Sequence, residues 1–202
     1  MKLVLATRNQ GKVRELSELL SPLGYEVVSL NQYPGVPEII EDGATFKENA
    51  VKKATVVARY TGQMALADDS GLEVDYLGGA PGVHSARFAG ERHDDRANNE
   101  KLLRLLAGVP PERRTARFRC VVAVATPTGQ VFTAEGACEG VIADRPRGEG
   151  GFGYDPLFYV PAWGKTFAEL EPAVKNQISH RGRALALIRE ILAGLRRGPD
   201  TV

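Results

Sequence analysis

The spacing of hydrophobic residues changes twice along this chain of 202 residues, and the change limits the folds open to it. Apolar residues recur at helical intervals over 13–20, 46–58 and 184–195. Between Ala116 and Val124 they alternate instead, which is typical of a strand with one buried face. Helical segments near both ends, with strands among them, predict an α/β fold in which helices flank a mixed β-sheet.

The start of the chain contains a strand, a polar loop and a helix in close succession. Residues 2–6 are short and aliphatic, and the glycine-containing loop that follows them leads directly into helical spacing. A helix N-terminus placed in this way presents backbone N–H groups that can bind an anion. Thr7, Asn9 and Lys12 add a hydroxyl, an amide and an ammonium group at this turn. An ordinary surface loop with a surface lysine is the alternative.

Capping, turn and periodicity signals predict the remaining elements. Thr45 and Glu48 have the spacing of a capping box at the start of a helix over about 45–60. Pro127-Thr128-Gly129 separates two strand-like runs and therefore predicts a β-hairpin. The other predicted elements are strands at 64–67, 116–124, 131–133 and 141–142, a helix at 94–106 and a last helix after residue 178.

The charge balance and the cysteine content narrow the class of protein. Lysine and arginine number 26 and aspartate and glutamate 25, and this net charge of +1 argues against a nucleic-acid partner. Cys120 and Cys138 lack the spacing of a metal-binding pair and predict buried thiols in a reducing compartment. No apolar run approaches the length of a membrane helix. We therefore expect one soluble, cytoplasmic domain over 1–202, with no membrane partner.

Two nucleotide-binding signatures match in letters but not in context. Residues 148–153 fit G-x-G-x-x-G, yet they lie late in the chain and lead into Tyr154-Asp155-Pro156 instead of opening a helix. Gly164-Lys165-Thr166 resembles the end of a P-loop, but Tyr159 stands where that motif needs its first glycine. We therefore expect neither a dinucleotide-binding fingerprint nor a Walker A motif.

The adjacent carboxylates of Asp68 and Asp69 are the strongest chemical signal. They follow a predicted strand, where they repel each other and resist burial unless a cation compensates them. Carboxylate oxygens suit Mg²⁺, which shares its sites with water and substrate phosphates, whereas a solvated acidic turn is the alternative. Glu41 could reach the same cation. Lys53 lies beside an apolar helix face, where it could hold a phosphate, orient water or simply extend to solvent.

Two later segments predict contacts with a planar ring. Gly148–Asp155 combines glycines, which allow close approach of the backbone, with aromatic side chains that can stack on a base. A tight loop that anchors its own aromatic residues is the alternative. Lys175, His180 and Arg181 lie near the start of the last helix, for which Ser179 is a candidate N-cap. Because cations oppose the helix dipole there, we expect an electron-rich group to face them.

Together these segments make the sequence similar to the family of inosine triphosphate pyrophosphatases, which act on non-standard purine nucleoside triphosphates. The likeness covers nearly the whole chain, and six motifs occur in order at family-like spacing. They are ATRNQGK at 6–12, EDGATF with ENA at 41–50, ADDSGL at 67–72, PGVHSARF at 81–88, GGFGYDP at 150–156 and ISHRG at 178–182.

The resemblance implies hydrolysis of ITP, dITP and XTP at the α-phosphorus. The products would be the nucleoside monophosphate and pyrophosphate, and the reaction would remove deaminated purines from the nucleotide pool. The same resemblance implies a Mg²⁺-dependent homodimer. Its fold would be an elongated mixed β-sheet flanked by helices, with two lobes and the active-site cleft between them.

The resemblance also gives roles to the residues that match. Asp69 would activate water or hold the metal that does so, Lys53 would align phosphate and water, and Asp68 would support them as a third catalytic residue. Asp69 and Glu41 would bind the metal. The triphosphate would be bound by Thr7, Arg8, Asn9, Gln10, Gly11 and Lys12, with no side-chain role for Arg8, and Ser70 would contact the substrate. The base would be bound by Phe152, Gly153, Tyr154, Asp155, Lys175, His180 and Arg181.

Two other functions stay open at this stage. A related pyrophosphatase could act on other unusual nucleotides, such as modified pyrimidines, and would reveal itself by its preference among triphosphates. A nucleotide-binding module without catalytic activity would bind tightly and show no turnover.

Overall fold

The computed structural model describes residues 1–90 and 93–197, and one sheet runs through this part of the chain. Its strands are β1 (Lys2–Leu5), β2 (Glu26–Ser29), β3 (Met64–Val74), β4 (Thr115–Ala125), β5 (Val131–Ile142), β6 (Phe158–Val160) and β7 (Lys165–Thr166). Their order across the sheet is β2-β1-β3-β4-β5-β6-β7. β1 is parallel to β2 and β3, whereas β6 is antiparallel to β5 and β7, so the predicted mixed sheet is confirmed.

The helices fall largely where the sequence places them. They are α1 (Gln10–Leu20), α2 (Phe46–Thr61), α3 (Asp95–Leu105), α4 (Pro172–Ile178) and α5 (His180–Arg197). Thr45 caps α2, because its Oγ1 accepts a hydrogen bond from Glu48 N at 3.1 Å. The Glu48 carboxylate accepts from Ala44 N at 2.7 Å, one residue before the position of a regular capping box. Of these five α-helices, the short helix α4 was not anticipated from the sequence.

Two strands are longer than predicted, and both differences change how the chain is interpreted. β3 does not end at Ala67 but continues to Val74, so Asp68 and Asp69 lie inside a buried strand and not in a terminal turn. The Lys12 ammonium group contacts the Asp68 carboxylate, and the Asn49 amide contacts the Asp69 carboxylate. These contacts offset the cost of burying the two carboxylates. β5 is one strand where two short ones were predicted, since pairing of residues 141 and 142 with β6 keeps its end extended.

The chain divides into two compact units, to which β3, β4 and β5 each contribute residues. The first unit comprises residues 1–69, 120–136 and the segment from Arg181 onward, and the second comprises 70–119 and 137–180. The core of the first includes Leu3, Leu5, Leu16, Leu20, Leu66, Val122, Val124, Leu185, Ile188 and Leu192. The core of the second includes Leu72, Val74, Leu102, Leu106, Phe118, Ile142, Leu157, Phe158 and Phe167. One functional domain and an intervening cleft stay predictions.

The buried faces of the helices agree with the periodicity of the sequence. The predicted apolar face of α2 is buried in full and consists of Phe46, Ala50, Ala54, Val57 and Ala58. Asn49 and Lys53 are buried on the same helix, which the apolar pattern alone does not explain. The two cysteines are buried thiols, as predicted, and burial raises the pKa of the Cys120 thiol to about 12. That thiol is therefore held protonated.

Within 1–90 and 93–197, no helix combines the length and the hydropathy needed to cross a membrane.

Candidate active site

The loop between β1 and α1 is organised by Asn9, which is the N-cap of the helix. Asn9 Oδ1 accepts hydrogen bonds from Gly11 N at 2.9 Å and Lys12 N at 3.2 Å. The sequence suggested free backbone donors here, and for these two groups that expectation is wrong, because a capping side chain satisfies them. Thr7 Oγ1 in turn accepts from Asn9 N at 3.2 Å. An anion at this helix end has to compete with the Asn9 carboxamide.

Arg8 in the same loop and Gln10 at the start of α1 are exposed. The Arg8 guanidinium donates to the carbonyl oxygen of Val36 at 3.2 Å, which ties this loop to the segment after β2. This contact gives the Arg8 side chain a partner within the chain. The absence of a side-chain role for Arg8 toward the substrate stays a prediction.

Asp68 is held between two cations in the interior of the first unit. Its Oδ2 lies 3.0 Å from Lys12 Nζ, and it accepts hydrogen bonds from Arg181 Nε at 3.2 Å and Nη2 at 3.1 Å. Burial alone would raise the pKa of Asp68, but Lys12, Arg181 and Lys53 outweigh burial and hold it well below the usual range. Asp68 is therefore ionised and anchors both side chains.

The pairing also identifies what faces Arg181. This arginine is only 2% exposed, and the electron-rich group expected near it is the Asp68 carboxylate of the same chain. The cost of a cation at the start of α5 is offset inside the protein, without any need for a ligand. A contact between Arg181 and a nucleobase stays a prediction.

Asp69 points to the other face of β3, toward α2, because successive side chains alternate along a strand. Asn49 Nδ2 donates to Asp69 Oδ2 at 3.0 Å, and Lys53 Nζ lies 3.7 Å from Oδ1. Burial and the nearby Glu41 raise the pKa of Asp69, whereas Lys53 and Asn49 lower it. The raising effects are the larger, so the pKa lies above the usual value. The carboxylate is therefore more basic than an exposed aspartate, which suits it to accept a proton.

Lys53 lies among the carboxylates and does not extend to solvent. Its Nζ donates to Glu41 Oε1 at 2.5 Å and to the Asp68 carbonyl oxygen at 2.7 Å. Burial by itself would lower the pKa of Lys53, but Asp69, Asp68 and Glu41 together raise it above its usual value. The ammonium group therefore stays charged while buried, and the solvent-facing alternative is wrong.

Asn49 is a site residue that reasoning from the sequence missed. It is 1% exposed, and its carboxamide bridges two segments: Nδ2 donates to Asp69 while Oδ1 accepts from Gly43 N at 2.8 Å. A Cβ at position 43 would lie 2.7 Å from Asn49 Oδ1, so only glycine permits this approach. The signal was available, since Asn49 and Lys53 are polar residues four apart on an otherwise apolar helix face.

The carboxylates offer hard oxygen ligands of the kind that Mg²⁺ takes. Among residues 1–90 and 93–197, no three His, Cys, Asp or Glu side chains come together as a ready-made metal site. Asp69 and Glu41 nevertheless both approach Lys53 Nζ, and the Glu41 side chain is 39% exposed. Mg²⁺ commonly uses only one or two carboxylates and completes its ligands with water and substrate phosphates, so the two residues fit such an ion.

In the second unit, Asp155 and Lys175 organise the glycine-rich loop, residues 148–155. Asp155 Oδ2 accepts hydrogen bonds from Lys175 Nζ at 2.7 Å and from Phe152 N at 2.9 Å. Lys175 Nζ also lies 5.0 Å from the centre of the Phe152 ring, within cation–π range. Lys175 belongs to α4, which corrects its predicted place at the start of the last helix. The ion pair thus fixes the loop and places the Lys175 ammonium group beside the Phe152 ring.

The two aromatic residues of the loop differ in their surroundings. Tyr154 is buried, and its hydroxyl donates to the Ser85 carbonyl oxygen at 2.7 Å, so it anchors the loop as the alternative interpretation proposed. Phe152 is 38% exposed and can present its ring to a ligand. For Phe152 the anchoring alternative therefore does not hold.

His180 lies in an aromatic cluster of the second unit. Its ring is nearly parallel to Phe118 at 4.7 Å between centroids and to Phe167 at 6.4 Å. The side chain is buried, and a role in base binding stays a prediction. Ser179, the predicted N-cap, stands between α4 and α5, and Ser70 follows Asp69 in β3 and is half-buried.

A family model decides how this chain is classified. The model of the Ham1 family matches residues 3–191. The chain belongs to the Ham1 family. This membership confirms the resemblance that the six motifs indicated.

Individual relatives of this Ham1-family chain agree in sequence and in fold. A protein of Desulforamulus reducens named dITP/XTP pyrophosphatase is 66% identical over 192 residues, covering 95% of this chain and 96% of its own. A Geobacter sulfurreducens protein of the same name is 56% identical over 191 residues, covering 95% and 96%. The structure of a HAM1 protein from Coxiella burnetii superposes with a TM-score of 0.88 at 43% identity, covering 96% of this chain and 99% of that one.

Proposed function

We propose that this chain is a nucleoside triphosphate pyrophosphohydrolase that converts ITP, dITP and XTP to the monophosphate and pyrophosphate. The observation that carries the proposal is Asp69: a buried carboxylate of raised pKa, oriented by Asn49 and adjacent to the charged Lys53. Such a group is a general base placed among cations, which is the requirement for attack by water on a polyanion. Relatives named dITP/XTP pyrophosphatase support the choice of substrate.

In the proposed reaction, water attacks the α-phosphorus and Asp69 accepts its proton. A bond forms between the water oxygen and the α-phosphorus, the bond from this phosphorus to the bridging oxygen breaks, and pyrophosphate leaves with the bonding electron pair. Lys12 and Lys53 would offset the charge on the phosphates, and residues 7–12 together with Ser70 would position them. Asp68 would act indirectly, because it fixes the Lys12 ammonium at 3.0 Å.

Asp69 and Glu41 would hold a divalent cation, for which we propose Mg²⁺. When bound, the ion supplies positive charge to the phosphate oxygens. The chain's own contribution is to bring two carboxylates close to one ammonium group, with Asn49 fixing the orientation of Asp69. Removal of divalent ions with a chelator is expected to stop pyrophosphate release, and added Mg²⁺ is expected to restore it.

For the base, we propose stacking on Phe152 and hydrogen bonds from three donor side chains near the junction of α4 and α5. Lys175, His180 and Arg181 are donors, which match the 6-oxo group of hypoxanthine and xanthine and mismatch the 6-amino group of adenine. An unsatisfied buried donor costs about 1–3 kcal/mol, which corresponds to a discrimination of roughly 5- to 150-fold. Gly153, Tyr154 and Asp155 would shape the pocket, since Asp155 holds Lys175 in place.

The experiment measures pyrophosphate released from ITP, dITP, XTP, ATP, GTP, dUTP and dTTP under identical conditions with Mg²⁺. The expected result is a clear preference for ITP, dITP and XTP over ATP. Equal or better turnover of the pyrimidine nucleotides would replace the purine assignment, and nucleotide binding without pyrophosphate release would remove the catalytic one.

We also propose a homodimer located in the cytoplasm. Light scattering after size exclusion is expected to give about twice the chain mass of 21.8 kDa. A mass of one chain at micromolar concentration would contradict the dimer, and fractionation of cells tests the location.

A further inference from the structure

We propose that Asp95 and Asn99 of α3 are positioning residues that hold the glycine-rich loop so that Phe152 is ready to stack on the base. The proposal rests on the proposed function, because it assigns to the Phe152 ring the contact with a nucleobase. Neither residue belongs to the six motifs or to the predicted site.

The Asp95 and Asn99 side chains form hydrogen bonds with one residue of the loop, Gly153, from the same face of α3. Asp95 Oδ2 accepts a hydrogen bond from Gly153 N at 2.8 Å, and Asn99 Nδ2 donates to Gly153 O at 2.9 Å. Asp95 and Asn99 are four residues apart, so they lie on the same side of α3. Both backbone groups of Gly153, directly after Phe152, are therefore satisfied by α3. We call this pair of contacts the α3 clamp.

The orientation of each clamp residue follows from its chemistry. The Asp95 carboxylate forms a charge-assisted hydrogen bond with a backbone N–H, which is stronger than a neutral one. Asn99 Oδ1 is buried and accepts no hydrogen bond within the described chain, so the bond from Nδ2 to Gly153 is what holds the amide. The reverse orientation of the amide would place two oxygens against each other.

The clamp restrains the part of the loop that lines a cavity beside α3. A cavity of about 390 Å³ is lined by α3 residues, including Leu103, and by loop residues, including Phe152. Gly153 has a φ of +62°, in a region that only glycine adopts easily, and a glycine backbone has many other conformations to lose. Without the clamp the loop can move into the cavity and take the Phe152 ring with it.

Loss of the clamp is expected to weaken nucleotide binding and not to slow the chemical step. Asp69 and Lys53, the proposed catalytic groups, belong to the first unit, whereas the clamp and the loop belong to the second. Loss of the clamp should therefore raise KM for the nucleotide and leave kcat almost unchanged. Since stacking of one base on an aromatic ring contributes appreciably to binding, we expect KM to rise about tenfold.

The test compares the D95A/N99A double variant with the unchanged protein, using XTP and pyrophosphate release. We expect KM to rise about tenfold, with kcat within about twofold. Arg104→Ala is the matched control, because Arg104 is exposed on the same helix and outside the clamp. Asp95→Asn keeps an acceptor oxygen and should retain most of the affinity, whereas Asn99→Asp removes the donor and should not.

Each outcome decides one point. An unchanged KM in D95A/N99A, or equal effects of Asn99→Asp and Arg104→Ala, would overturn the clamp. If the double variant does not fold, the contrast between Asp95→Asn and Asn99→Asp, each checked by thermal unfolding, decides in its place. If the unchanged protein releases no pyrophosphate from any nucleotide, the proposed function fails, which is a result distinct from a failure of the clamp alone.

Discussion

The two regions of the molecule that carry the candidate site are built in different ways. The first unit contains three carboxylates and three cations, and all except Glu41 lie on strands or helices. They are Glu41, Asp68 and Asp69 with Lys12, Lys53 and Arg181. In the second unit, one buried ion pair between Lys175 and Asp155 and a few bonds to backbone hold a glycine-rich loop. The first region concentrates charge on strands and helices, and the second controls the position of a ring.

The difference matches the two tasks proposed for the nucleotide. A triphosphate requires charge that is fixed before the substrate arrives, since rearranging charged groups during the reaction is costly. A flat base requires a surface at the right distance, which a glycine-rich backbone can provide. Substitutions in the first region should therefore affect kcat or stability, whereas substitutions in the second should affect KM. Five predictions test this contrast, beginning with the largest effect.

Asp69→Asn should reduce kcat for XTP by about 10²- to 10⁴-fold, because the amide cannot accept the proton of water. Pyrophosphate release measures the effect, and circular dichroism checks that the fold is intact. Asp42→Asn is the control, since Asp42 is an exposed carboxylate paired with half-exposed Lys52. Turnover of Asp69→Asn at the rate of the unchanged protein would show that another group accepts the proton.

Asp68→Asn should lower the free energy of unfolding by about 3–5 kcal/mol, because it leaves the buried Arg181 without its counter-charge. Urea denaturation measures the loss. In Asp75→Asn, which removes a half-exposed partner of Arg117, the loss should not exceed about 1 kcal/mol. Similar losses in both variants would mean that the Asp68 cluster is no stronger than a surface ion pair.

The same carboxylate predicts how stability depends on pH. The pKa of Asp68 is lowered from 3.8 in the folded chain, so the unfolded chain binds the proton first on acidification. Its contribution is complete above that ordinary value and is lost as the pH falls toward the lowered one. Asp68→Asn should therefore flatten the acid side of the stability curve, and an unchanged slope would contradict the pairing.

Asn49→Ala should reduce kcat by about 10- to 100-fold, as is typical when a partner that orients a metal ligand or catalytic group is lost. The substitution also leaves Gly43 N without its acceptor. Lys52→Ala, on the exposed side of the same helix, is the control. If Asn49→Ala changed only KM, Asn49 would belong with substrate binding and not with the orientation of Asp69.

Lys175→Met should raise KM for XTP about tenfold and change kcat less, because it removes a charged donor near the Phe152 ring. Steady-state kinetics separates the two constants, and Lys165→Met, at an exposed position of β7, is the control. A fall in kcat without a rise in KM would break the division of labour between the two regions.

Local patterns were sufficient to predict much of the fold. The aliphatic run of β1, the capping residue and apolar face of α2, and the turn between β4 and β5 each depend on neighbours in sequence. The end of β3 was predicted incorrectly because two aspartates normally terminate a buried strand. Their compensation comes from α1, α2 and α5, and no local pattern contains it.

The residues of the candidate site also fall into those that local patterns predicted and those that they did not. The residue types at 68 and 69, the lysines and the glycine-rich segment were recognisable from the sequence, and the motifs placed the chain in its family. Asn49, Asp95 and Asn99 were not recognised, because an asparagine or aspartate on a helix has the same appearance whether or not it holds another segment. Their partners are six to 58 residues away.

By itself, the sequence determined where four of the five α-helices form, where the longer strands begin and which groups are available for chemistry. These properties depend on residue type and short-range spacing. Only the tertiary structure decided which charges meet. Asp68 and Arg181 are separated by 113 residues, and their pairing sets the ionisation of the one and the burial of the other. Electrostatic energy depends on distance and on exclusion of water, and both are properties of the folded chain.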